Sequence, residues 1–217
     1  MTSEMIWNIL KTAFGQTFYM VIVSTIAAII LGFIPAIILT LTASDGLRPN
    51  KAVYGVFDFI INILRSLPFV ILMVIIIPFT RLLVGKTIGT TAAIVPLTVA
   101  AAPFIARIIE SALREVDKGV IEAAKSFGAS DMQIIFGVML KEAVPSIVSG
   151  ITLAIINIIG YSAMAGTLGG GGLGDVAIRY GYQRYETTMM IITCVVLIVV
   201  VQLIQLLGNY FYKKLSK

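Results

Sequence analysis

Histidine is absent from this 217-residue sequence, cysteine occurs once, and Asp, Glu, Lys and Arg together supply only 12% of it. With Cys194 alone and no histidine, neither a disulfide framework nor a Cys/His zinc site is available, and no metal site is expected. Cys194 lies inside an apolar run and is expected to be inert packing. The charged share is far below the quarter or so usual for soluble domains, while apolar residues reach 59%, so water is not the chain's only solvent. Also missing is a G-x-x-x-x-G-K-[ST] phosphate loop, because the run Gly169 to Gly172 is not followed by Lys and a hydroxyl residue. No residue is a credible catalyst, and no cofactor is expected on this chain. The net charge of +5 is scattered among apolar runs and forms no compact patch for a nucleic acid.

What the sequence has in abundance is uncharged length. A helix crossing the hydrocarbon core needs roughly 20 apolar residues, and five stretches meet or approach that, at about 18–41, 52–79, 87–106, 143–165 and 187–212. The fold class expected is therefore all-α, a single membrane domain over 1–217 with five transmembrane helices. The first stretch is too long for the core of a cleaved signal peptide and is expected to remain as a span. The second contains Asp58 and Arg65, seven residues apart and so near one helix face, where pairing through neighbours lowers their burial cost. The third carries Pro96 and Pro103 and is expected to kink.

Lys and Arg counts orient the chain, since cytoplasmic loops carry the excess. Placing the C-terminus inside puts ten basic residues on the cytoplasmic side and five outside. The N-terminus is accordingly expected outside, and segment 107–142 inside.

That segment mixes five basic and six acidic residues with apolar ones at helical spacing. Val120, Ala124 and Phe127 fall at i, i+4 and i+7, with Lys118, Glu122 and Lys125 on another face, so a short amphipathic helix is expected. Gly128 suits a helix stop, and Ser130 with Gln133 forms a capping box opening a second helix through Ile134, Ile135 and Met139. By periodicity alone the apolar stripe fits a bilayer surface as well as a cleft on a soluble partner. Asn62, Asn157, Tyr161 and Ser162 are polar groups inside spans, read either as pathway-lining residues or as interhelical hydrogen-bonding groups. The glycine-rich stretch from Gly166 to Gly174 reads either as a flexible outward turn or as part of a gate.

Glu122-Ala123-Ala124, three residues, Gly128, nine residues, then Val138-Met139-Leu140 resembles the EAA loop of bacterial ABC importer permeases. The likeness extends over nearly the whole chain and is greatest to permeases of the methionine-uptake type. It is carried by Arg65-Ser66-Leu67-Pro68-Phe69, Ala93-Ile94-Val95-Pro96-Leu97-Thr98, Gly160-Tyr161-Ser162-Ala163-Met164 and Gly171-Gly172-Leu173-Gly174. One departure is Lys141, where the pattern usually has proline, with Pro145 the nearest substitute. The resemblance implies a coupling helix formed by Val120, Glu122, Ala123, Ala124, Phe127 and Gly128 that docks on an ATPase. It further implies a homodimer of permeases, two ATPase subunits carrying ATP and Mg, and an extracytoplasmic substrate-binding lipoprotein. Met164 then stands at a translocation gate or in core packing, and the transported solute is methionine or a related amino acid. Two rival readings remain: an ion-coupled carrier or channel needing no ATPase, and a non-transporting scaffold whose loop binds a regulator. The first expects carboxylates in the spans, of which Asp58 is the one candidate, and the second leaves the EAA pattern unexplained.

Overall fold

A computed structural model describes residues 3–216, and every regular element among them is helical. Helix α1, Ser3–Thr42, begins well before residue 18 because nothing in its first turns breaks the pattern. At 40 residues it extends about 60 Å, twice the hydrocarbon thickness. Its first turns pack Leu10 and Ala13 against Leu173, Val176 and Met189 near the far end of the chain.

The expected second span is broken. Helix α2, Lys51–Ser66, is capped by the Asn50 side chain and stops where Pro68 forces Leu67 into extended backbone. The chain turns by 103° into α3, Phe69–Ile75, and α4, Ile77–Val84, follows with Pro78 in its first turn. Segment 52–79 is thus three helices, and α2 with α3 makes at most one bent crossing beside four long apolar helices.

Helix α5, Thr90–Arg114, runs unbroken through Pro96 and Pro103 and supplies the centre of the core with Leu97, Ile105, Ile109 and Leu113. A Cβ on Gly32 of α1 would sit 2.6 Å from the Ala102 carbonyl oxygen, so the absence of a side chain permits this close crossing. Because α5 continues to Arg114, Glu110 joins Asp58 as a carboxylate on a core helix.

Helix α6, Lys118–Ser126, protrudes with no buried residue. The expected second loop helix is instead the beginning of the fourth span: α7, Asp131–Gln133, a π-helical stretch Ile134–Met139, and α8, Leu140–Thr167, form one helix from Asp131 to Thr167. The protruding loop therefore shrinks from 107–142 to 115–130. Lys141 lies within this helix, which passes through Pro145 without a break, so the missing family proline marks no exit.

Beyond α8 the glycine stretch is pinned rather than flexible. Gly171 and Gly172 take φ of 75° and 84°, and the Gly172 and Leu173 amides donate to Gln16 Oε1 (2.8 Å) and Thr17 Oγ1 (2.9 Å) of α1. Helix α9, Gly172–Val176, leads through a second π-helical stretch, Ala177–Tyr182, to α10, Thr187–Leu215. Only Met189, Thr193 and Gly208 of α10 are buried, and Cys194 is exposed on its outer surface, not packed in the core.

Candidate functional site

The protruding loop is built by its caps. Asp117 accepts from the Gly119 (2.7 Å) and Val120 (3.4 Å) amides and starts α6. At the other end the Gly128 amide donates to the Lys125 carbonyl (2.9 Å) and the Ala129 amide to the Ala124 carbonyl (3.1 Å). These two bonds, with Gly128 at φ 78°, are the Schellman arrangement that favours glycine. The Ser130–Gln133 capping box then forms in both directions, as its spacing predicts.

The exposed apolar face of α6 differs from the predicted stripe by one residue. Ile121 and Ala124 turn inward and pack on the core, whereas Val120, Ala123 and Phe127, at i, i+3 and i+7, turn outward. Phe127 is 92% exposed, and Glu122 and Gly128 flank the face, also exposed. A phenylalanine held this far out by its cap leaves almost its whole side chain uncovered by its own chain.

Ion pairs hold both feet of the loop. Before α6, Arg114 bonds Asp45 (2.9 Å) in the α1–α2 connection; after it, Asp131 pairs with Arg48 of the same connection. Arg114 also lies 3.6 Å from Glu110, which is only 2% exposed and receives Arg107 (2.7 Å) and the Tyr54 hydroxyl (3.1 Å). Arg107 bonds Asp58 and Asn62 of α2 as well. Asp58 is thereby paired with Arg107 and not, through neighbours, with Arg65. The Arg65 guanidinium lies over the Phe104 ring, 5.9 Å from its centroid. Sequence reasoning missed this network, although Arg107, Glu110 and Arg114 at i, i+3 and i+7 were a legible sign of it.

The candidate pathway residues separate into three groups. Asn157 and Met164 are exposed on α8 in one row with Leu153 and Gly160, spaced by four, three and four residues. Tyr161 is half-buried and stacks on Phe69 of α3, with ring centroids 4.9 Å apart. Ser162 faces the core, 2% exposed, and donates to the Ile159 carbonyl of its own helix (2.8 Å), which removes it from any open face of this chain. Asn62 is exposed but bound into the ion network through Asp58 (3.0 Å) and Arg107 (3.2 Å).

Comparison with known proteins places these features in a family. The sequence profile of the "binding-protein-dependent transport system inner membrane component" family matches residues 28–217. A probable D-methionine transport system permease protein of Vibrio cholerae is 51% identical over 209 residues, covering 96% of this chain and 93% of the relative. The methionine import system permease protein of Bacillus subtilis is 44% identical over 180 residues, covering 83% and 81%. Among solved structures, a chain of the MetNI methionine ABC transporter in an inward-facing conformation superposes with a TM-score of 0.97 at 42% identity, over 100% of both chains.

Proposed function

The chain belongs to the family of binding-protein-dependent transport system inner membrane components, a multi-pass ABC importer permease, and we propose that it carries methionine or a close analogue across the inner membrane by alternating access. The observation that carries the mechanism is the outward face of α6, where Val120, Ala123 and Phe127 stand exposed between two fixed caps. A surface of this kind, rigid and apolar with a charged surround, suits docking in a groove better than lying on lipid headgroups. Lys118, Glu122 and Lys125 give the surround both signs of charge.

In this reading the α6 end is cytoplasmic, with the C-terminus, and the N-terminus is outside. Two copies of the chain pair about a two-fold axis, each α6 seated on one subunit of an ATPase dimer that binds ATP and Mg and performs the hydrolysis. A substrate-binding lipoprotein delivers the solute to the glycine-turn end. Closure of the ATPase dimer moves α6, and the ion pairs at its feet carry that displacement to the α1–α2 connection and to the bundle. The exposed row Leu153, Asn157, Gly160 and Met164 faces its copy across the axis, with Met164, 47% exposed, narrowing the outer end of the path. Likeness to the inward-facing MetNI chain supports assigning the present conformation to the inward-open state.

An ion-coupled carrier is disfavoured by the state of the core carboxylates. Asp58 and Glu110 are both engaged by arginine, so neither is poised to bind and release a coupling ion. The test is methionine uptake into proteoliposomes holding this chain, its ATPase and the binding protein. Uptake that requires internal or external ATP on the ATPase side supports the reading; uptake down a gradient without nucleotide overturns it.

A further inference from the structure

Resting on the importer reading, we infer that Arg65 is a carboxylate-recognition residue of a solute-binding cleft between α5 and α8. The cleft has a volume of about 390 Å³, within the range of small-molecule sites. Ile108 and Ser111 of α5, with Glu115 at its C-cap, line one side, and Ser146, Ser149 and Leu153 of α8 line the other. Leu153 begins the exposed row that leads to Met164, so the cleft and the row form one continuous face of α8. Glu115 lies just beyond the last residue of α5, which sets that end of the cleft at the α6 side of the bundle.

Two guanidinium groups reach this cleft, and their surroundings assign them different tasks. Arg107 is already neutralised by Asp58 and Glu110 and bonded to Asn62. Arg65 has no carboxylate within 4.0 Å among the described residues, although α2 carries Asp58 two turns away. A lone cation on a membrane helix is costly, and it persists where a water-filled path or an anionic ligand receives it. Its position is fixed as well: the Phe104 ring supports the guanidinium, and the Leu67–Pro68 break ends the helix directly after it. The planar fork so held matches a carboxylate in two parallel hydrogen bonds. Phe104, Ile108 and Leu153 leave apolar surface for the rest of the solute. The ligand class is an α-amino acid with an apolar side chain, held by its carboxylate after it has passed the Met164 end.

The test uses the nucleotide-free complex of this permease, carrying Cys194→Ala and Ser149→Cys, with a cysteine-free ATPase, so that each permease copy has one thiol, in the cleft. The rate of modification by a water-soluble maleimide is measured with millimolar L-methionine, N-acetylmethionine (carboxylate without ammonium) or methioninol (ammonium without carboxylate). Slower labelling is expected with the two carboxylates and not with methioninol. Arg65→Gln should raise the methionine concentration needed for protection by about tenfold or more, and Arg65→Lys by less. Equal protection by methioninol, unaltered protection in Arg65→Gln, absence of protection by methionine, or a thiol that does not label overturns the inference. ATP-driven uptake by the complex without these substitutions, measured in parallel, separates that failure from failure of the importer reading.

Discussion

Phe127→Ala tests the proposed docking role of α6 separately from any role in folding. The side chain is 92% exposed and touches little of its own chain, so its removal should leave the permease's thermal midpoint in detergent unchanged. Burial of such a ring in a partner groove contributes about 2 kcal/mol, within the range for a fully buried phenylalanine. Loss of that contribution weakens each α6–ATPase contact by about thirtyfold. The assay is titration of the detergent-solubilised permease with fluorescently labelled ATPase, alongside a melting curve of the permease alone. A dissociation constant within about threefold of the original would show that the ring is not an anchor, since hot-spot truncations exceed 1 kcal/mol. A lowered thermal midpoint would show that Phe127 serves the fold of its own chain, and the docking argument would fail there too.

Gly128 has room for a Cβ, with no atom within 4 Å, so the cost of Gly128→Val is the left-handed backbone, about 1–2 kcal/mol. Gly128→Asn, which tolerates that region, should retain coupled ATPase activity that Gly128→Val loses; equal losses would mean that the partner needs the bare backbone. Glu122→Arg, on the exposed surround of α6, should reduce co-purification of the ATPase while membrane insertion, followed by membrane fractionation, stays intact. Glu110→Gln leaves Arg107 and Arg114 without their buried carboxylate and should destabilise the permease by about 3 kcal/mol, read as a lower midpoint in detergent. Cys194→Ala, on the outer surface of α10, should change uptake by no more than about twofold.

The long spans were legible because charge is excluded from lipid: between Lys11 and Asp45 no residue is charged, and α1 covers that interval as far as Thr42. Direction is not encoded in hydropathy, so the turn at Pro68 was invisible to an apolarity count, although the proline itself marked the place. Lys141 and Glu142 set the expected start of the fourth span twelve residues late, since both are exposed on the surface of a helix that begins at Asp131. The Gly128 stop and the Ser130–Gln133 capping box were readable because they depend on residues a few positions apart, whereas the Asp117 cap, equally local, went unread. Which way Ala124 faces was not, because i, i+3, i+4 and i+7 positions share a broad arc and the core selects among them. Contacts between distant residues were the least accessible. The Arg107–Asp58 and Arg48–Asp131 pairs join helices whose packing is fixed by close crossings such as that at Gly32, which no local pattern reveals.

The most direct test of coupling through α6 is a photocrosslink from its exposed face. Phe127→Cys in a Cys194→Ala chain, labelled with benzophenone maleimide and assembled with the ATPase and binding protein, is illuminated with and without ATP. The account predicts an adduct with the ATPase whose yield changes with nucleotide. A probe that reacts only with lipid or detergent, in a complex still able to accumulate methionine, would contradict it.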